Sequence, residues 1–387
     1  MSRHAETRDL RHARLPQRDL ETSTFLSRLH HRTTHHLSAS ECEAMSMTGL
    51  LRLADAEDAA RWDAMDLSYT DPLGAPWLRA TIAARYAGMG TQDLVCFAGA
   101  QEGLYATLHA LLQPGDHAIV VVPGYQSVET LALSLAAVTG IALDAGDGWS
   151  LDIDAVAAAI RPNTRVVCVS FPNNPTGKLL ETERFAALVA LCRRHGIWLL
   201  SDEVYRLTER EPARRLPPAV DAYERGVSIG VLSKAYGLPG LRIGWVACRD
   251  GALIARIAAL RQYLSVCSAG PSEVLANIAL KATDTIIDRN RSIAEANLLV
   301  LRAFLARHPG RFAWTVPDGG VVGYVSYGGA EGVDCFVRRM TADAGVLLLP
   351  ASVFRSDLVT LPDGRFRIGF GHSGFTAGLA AMEAALC

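Results

Sequence analysis

Residues 227–245 read VSIGVLSKAYGLPGLRIGW. The stretch begins with an uncharged run, Val227–Leu232, and ends in a second, Ile243–Ala247, with a loop of small residues between them. A short apolar run without strict polar alternation is the pattern of a strand buried on both faces. Lys234 stands at the end of the first run. Lysine is rarely buried without a partner, so at this position it is a candidate for a desolvated amine of lowered pKa. Such an amine attacks aldehydes and forms imines. A solvated loop lysine is the plain alternative. Arg242, set between apolar neighbours in a Gly-rich context, suits a guanidinium fixed to hold an anion.

Outward from this loop the same strand signature recurs at His117–Val122, Val166–Ser170 and Ile197–Ser201, with a shorter run at Asp93–Phe97. A helical pattern at Leu78–Met89 precedes the first of them, and others at Gln101–Leu112, Val128–Thr139, Ile153–Ile160 and Thr182–His195 lie between them. Strands alternating with helices predict an α/β fold with a mostly parallel sheet covered on both sides. Ligands of such sheets sit beyond the carboxyl ends of the strands. A longer helical region then runs from Leu253 to about Leu301. It is followed by strand patterns at Phe312–Val316, Gly323–Ser326, Val346–Leu349 and Phe366–Phe370, with a helix at Cys335–Ala344. This second part reads as a smaller α+β domain. The expected division is a flexible tail over residues 1–34, a segment over the active site at 35–48, a large domain at 49–275 and a small one at 276–387.

A chain of 387 residues suits two compact units. Half of it is hydrophobic, which excludes a disordered chain. Thirty-eight basic against forty acidic residues leave a net charge of −2, so nothing global favours nucleic acid or anionic membrane. The eight cysteines form no CxxC pair, which argues against a metal site or a disulfide framework and fits a reducing cytoplasm. No apolar run is long enough to span a bilayer. The first twenty residues carry Glu6, Asp9 and Asp19 and lack the apolar stretch of a signal peptide.

Chemistry is expected just past each strand. After VVCVS, the turn Phe171-Pro172-Asn173-Asn174-Pro175-Thr176-Gly177 presents Asn174 as a donor–acceptor amide. After IWLLS comes Asp202, which either caps a helix or holds a positive charge on a ligand; Tyr205, three residues on, can share that ligand. The glycines of Phe97–Gly103 let backbone N–H groups at a helix start, those of Ala100 and Gln101, face a phosphate. The loop lacks both the Lys-Ser/Thr of a P-loop and the GxGxxG spacing of a dinucleotide fingerprint.

Taken together, YTDPLG (69–74), GAQEG (99–103), NNPTG (173–177), SDEVY (201–205), SKAYGLPGLRIG (233–244) and FRIGFG (366–371) resemble, in order, the fold-type I pyridoxal-phosphate enzymes of the class I/II aminotransferase family. The likeness begins near residue 35 and is nearest to the capreomycidine-synthase-like branch. It implies a seven-stranded, mostly parallel large domain, a smaller α+β domain, and pyridoxal 5′-phosphate as cofactor. It also implies an amino acid and a 2-oxo acid as substrates. By this resemblance Lys234 forms an aldimine with the cofactor and moves the proton, and Asp202 pairs with the ring nitrogen. Asn174 and Tyr205 hydrogen-bond the phenolic oxygen, and Tyr125 stacks on the ring. Ala100, Gln101, Ser233 and Arg242 hold the phosphate, and Arg367 holds the substrate carboxylate beside Ser38. Tyr69 reaches the neighbouring subunit's phosphate, so a homodimer is expected. Two positions depart from the pattern. Val231 replaces a common phosphate-binding hydroxyl, for which Ser233 or Ser268 are the candidate substitutes, and Ala351 replaces a glycine. Of the N-terminal residues, His35 and His36 are read as solvated, and Glu41 or Glu43 as candidates to receive a basic side chain. An amine-retaining cyclase, a lyase or an oxidase acting on an arginine-like amino acid is the alternative to amino transfer.

Overall fold

The computed structural model describes residues 20–29 and 33–386. Seven strands form the larger sheet: β1 (Leu94–Phe97), β2 (His117–Val122), β3 (Ala137–Ala142), β4 (Thr164–Ser170), β5 (Trp198–Asp202), β6 (Gly226–Val231) and β7 (Gly244–Cys248). Their order is β1-β7-β6-β5-β4-β2-β3, and β7 alone runs against the rest. The uncharged runs are explained by two-sided burial. In β4, Val166 and Cys168 enter one apolar cluster with the helices at 100–111 and 251–261. Val167 and Val169 enter another with the helix at 182–195.

β3 was not expected. The predicted helix over Val128–Thr139 stops at Leu135, and Ala137–Ala142 continues as the edge strand beside β2. Only Ile141 of this strand is buried, so its sequence lacks the continuous apolar run that marks the central strands. His117, fully buried at the start of β2, fastens the edge through Thr139 Oγ1 at 2.9 Å and Thr164 Oγ1 at 2.8 Å. The long helical region from Leu253 resolves into helices Gly251–Arg261, Gly270–Lys281 and Thr283–Arg307, the second opening with Pro271 in its first turn.

The second sheet is antiparallel, in the order β10 (Leu349–Pro350), β11 (Arg365–Gly369), β9 (Val322–Tyr327) and β8 (Phe312–Trp314). Phe312 and Phe366 pack from it against Phe304, Phe336, Phe375 and Met382 of the covering helices. The predicted strand at Val346–Leu349 is shorter than expected, because Val346 bridges to His35 instead of extending β10. In the stretch read as a tail, Glu21–Leu29 is helical, with Phe25 and Leu26 packed against the core. No helix among the described residues is long and apolar enough to cross a membrane.

Candidate active site

A cavity of about 830 Å³ opens beyond the carboxyl ends of β4, β5 and β6, where the chain also brings the end of β11 and the segment 34–43. Lys234, Asp202, Tyr205, Asn174, Tyr125, Ala100, Gln101, Ser233, Arg242, Arg367 and Ser38 all line it. Residues far apart in sequence meet here because parallel strands deliver all their following loops to one rim.

Lys234 Nζ donates to Ser40 Oγ at 2.8 Å and lies 3.6 Å from a Glu41 carboxylate oxygen. Burial pushes its amine below the ordinary lysine range, against the opposing pull of Glu41. Asp202 ends β5 almost wholly buried, and among the described residues its carboxylate accepts one hydrogen bond, from the Val204 N–H at 3.3 Å. Burial pushes its carboxyl up to about 6. Tyr205 is buried and donates to the Ser40 carbonyl at 2.6 Å. Arg367 is 1% exposed and bonds Asn174 Oδ1 at 3.0 Å and the Ser38 carbonyl. Its Nε has no partner among the described residues.

The opposite end of the cavity is cationic and rich in N–H groups. Gly99, at φ +94, turns the chain from β1 into the helix Ala100–Leu111, and a Cβ there would strike the Arg242 guanidinium. The helix start therefore leaves first-turn N–H groups next to Arg242. Arg242 adopts left-handed backbone, φ +51, and is held by the Ala98 and Pro239 carbonyls at 3.0 and 3.3 Å. Gln101 Oε1 is buried with no partner among the described residues.

Residues 36–377 match the family of class I and II aminotransferases. The chain belongs to that family. It is 31% identical to capreomycidine synthase of Streptomyces vinaceus over 80% of its length and 79% of that protein. It is 30% identical to the arginine–pyruvate transaminase of Pseudomonas aeruginosa, each covered over 82%. A PLP-dependent aminotransferase from Streptococcus suis superposes with TM-score 0.89 at 26% identity, covering 96% of this chain and 98% of that one. The PLP-dependent cyclase OrfR does so with TM-score 0.85 at 26% identity, each covered over 98%. The class I and II aminotransferase described here is thus a pyridoxal-phosphate enzyme of fold type I.

The residues present fit that cofactor. Asp202 is a buried carboxylate with no cation in ion-pair contact among the described residues, which matches a protonated ring nitrogen. The N–H groups of the helix start and the Arg242 guanidinium offer a charged, donor-rich end for a phosphate. Val231 lines the cavity with an apolar side chain, and Ser233 lies beside it. Ser268 does not substitute for the missing hydroxyl: its Oγ accepts from Arg261 at 3.1 Å and it lies outside the cavity. Ala351 also lies outside it, buried in the turn Ala351–Phe354. Tyr69 is 88% exposed and does not line the cavity of its own chain.

His35 and His36, read as solvated, line the cavity. Sequence reasoning missed Thr22, Ser23 and Leu26 of the N-terminal helix and His372, Ser373 and Phe375 beyond β11. The second group follows a strand end and was open to the same rule that found Asp202. The first had only the helical spacing of Phe25, Leu26 and Leu29 to mark it.

Proposed function

We propose that this enzyme transfers the α-amino group of an L-amino acid to a 2-oxo acid, with Lys234 as its catalytic residue. The observation that carries the reading is the Lys234 amine itself. Its pKa is depressed by burial, and it shares one cavity with Asp202 and Arg367. Bound in that cavity, pyridoxal phosphate supplies an aldehyde that takes up the amino group and a ring that withdraws charge from the substrate Cα. Lys234 Nζ would hold the cofactor's aldehyde end and, when free, would be the base that takes the proton from the substrate Cα and returns it. Asp202 would keep a proton on the ring nitrogen, and Asn174 and Tyr205 would hold the phenolic oxygen, Tyr205 by turning its O–H away from the Ser40 carbonyl. Tyr125, which lines the cavity, would lie against the ring. Ala100, Gln101, Ser233 and Arg242 secure the phosphate. Arg367 fixes the substrate carboxylate as a planar fork, with Ser38 holding the guanidinium in place.

The segment 35–48 covers the site, residues 49–275 form the cofactor-binding unit, and 276–387 form the smaller one. The functional unit is a cytoplasmic homodimer in which Tyr69 serves the partner's site; its exposure in the single chain supports this. Borohydride reduction of the yellow holoenzyme, followed by peptide mass spectrometry, is expected to fix the cofactor on Lys234. Lys234→Ala is expected to remain folded, lose that adduct and lose activity by at least about 10²–10⁴-fold. A colourless protein with no adduct at Lys234 overturns the reading.

A second reading, an amine-retaining cyclase, a lyase or an oxidase acting on an arginine-like amino acid, is favoured by the likeness to capreomycidine synthase and to OrfR. Incubation with an amino acid and a 2-oxo acid separates the two. Stoichiometric new amino acid supports transfer; turnover without an acceptor supports the alternative.

A further inference from the structure

The segment Ser38–Glu43 lies on the cavity as a fixed strap. Its carbonyls accept from Arg367 at Ser38 and from Tyr205 at Ser40, and the Cys42 N–H donates to the Lys234 carbonyl at 3.1 Å. Three glycines make the close approach possible. A Cβ at Gly369 would strike the Ala39 carbonyl, one at Gly371 the Glu41 carbonyl, and one at Gly237 the Cys42 and Glu43 carbonyls. The strap is thus seated on the backbone of the lysine loop and of β11, and the side chains it carries have defined positions.

Two of those side chains are carboxylates. Glu43 is already committed: it accepts from the Ser373 N–H and lies 3.7 Å from Arg289. Glu41 has no arginine in ion-pair contact among the described residues. It accepts from the Ser40 N–H at 3.1 Å, and its oxygens face Lys234 Nζ at 3.6 Å and His372 Nε2 at 3.9 Å. Burial favours its neutral form, but the charges of Lys234 and His372, the Ser40 N–H and the charge of Arg367 outweigh burial and hold it ionised below the usual carboxylate range. The cavity therefore presents a fixed anion near the guanidinium that takes the substrate carboxylate. Asp202, the buried acid of the cavity, belongs to the cofactor's ring nitrogen in the proposed function.

We infer that Glu41 receives a positively charged side chain of the amino donor, so that the preferred substrates are α-amino acids ending in a guanidinium or an ammonium group. The inference rests on the proposed site, with Arg367 holding one end of the molecule and Glu41 the other. A cation that replaces the long contacts to Lys234 and His372 by direct hydrogen bonds forms a charge-assisted pair out of bulk water, a strong class of polar contact. A neutral chain of equal length leaves the carboxylate to its present partners and gains nothing there.

The test uses probes with no α-amino group, so its outcome does not depend on which reaction follows. Calorimetry on the holoenzyme compares 5-guanidinopentanoate with heptanoate, which share a carboxylate and a similar length. The wild-type enzyme is expected to bind the guanidino acid at least about tenfold more tightly. In Glu41→Gln, with its cofactor absorbance retained, the ratio is expected to fall to within about twofold. Equal binding of the two probes by the wild-type enzyme overturns the inference without recourse to any variant. So does a Glu41→Gln enzyme that keeps the tenfold preference. If the preference is found but no amino acid is transaminated, the proposed function fails and the role of Glu41 stands.

Discussion

Asp202 shows how a residue chosen for chemistry burdens the fold that carries it. Its carboxyl is pushed from 3.8 in an open chain to about 6 in the folded protein. Because the folded value is the higher one, the folded state binds more protons than the unfolded state between about pH 4 and 6, so stability is lost as the pH rises through that window and stays lost above it. Apoenzyme carrying Asp202→Asn is therefore expected to resist urea better than wild type at pH 7.5, by on the order of 1–3 kcal/mol, with the advantage shrinking towards pH 5. The same variant is expected to retain the cofactor poorly and to lose most activity. Matched urea curves at the two pH values check the first part, and cofactor absorbance after dialysis checks the second. An Asp after an uncharged run was readable as a ligand-holding carboxylate from position alone. Its lack of a partner was not, because that depends on Lys234 being drawn aside to Ser40 and Glu41, residues nearly two hundred positions away in the chain.

At the level of elements, legibility followed burial. The central strands β2, β4, β5 and β6 were plain in the sequence because both faces are covered and nearly every residue between their ends is apolar or small. The edge strand β3, half-exposed and continuous with the end of a helix, carried no such mark. The strap at 38–43 was placed over the site by resemblance. Its seat was hidden, since nothing in FRIGFG or SKAYG marks their glycines as the places that admit another stretch of backbone. Gly369→Ala tests that service. The new methyl must displace the Ala39 carbonyl, which unseats the strap from Arg367, so KM for the amino donor is expected to rise by about tenfold or more while the protein still folds. Steady-state kinetics with thermal unfolding as the control decide it. An unchanged KM would mean that the strap can shift without disturbing Arg367.

For the whole molecule, the sites are argued to be shared between two copies. Leu67, Tyr69 and Tyr263 are each at least 88% exposed in the single chain, an apolar presentation that a second copy would cover. If Tyr69 serves the neighbouring site, mixing Lys234→Ala protein with Tyr69→Ala protein, each weak alone, is expected to recover up to about a quarter of wild-type activity. Random pairing makes half the dimers hybrid, and each hybrid has one intact site. Activity that never exceeds the sum of the two parents would place Tyr69 outside the neighbour's chemistry. Within each copy, the reversal of β7 has its own consequence. The chain leaves the rim at Val231 and is back at Gly244, across the ladder from it, with Leu232 and Ile243 hydrogen-bonded at 3.1 Å beneath the loop. Positions 234 and 242 are thus the two grips of a short ring that the sheet has already closed. Since the entropy of closing a loop is spent once, a molecule grasped at both positions orders very little new chain, and the affinity of its contacts stays available to hold a second molecule beside it.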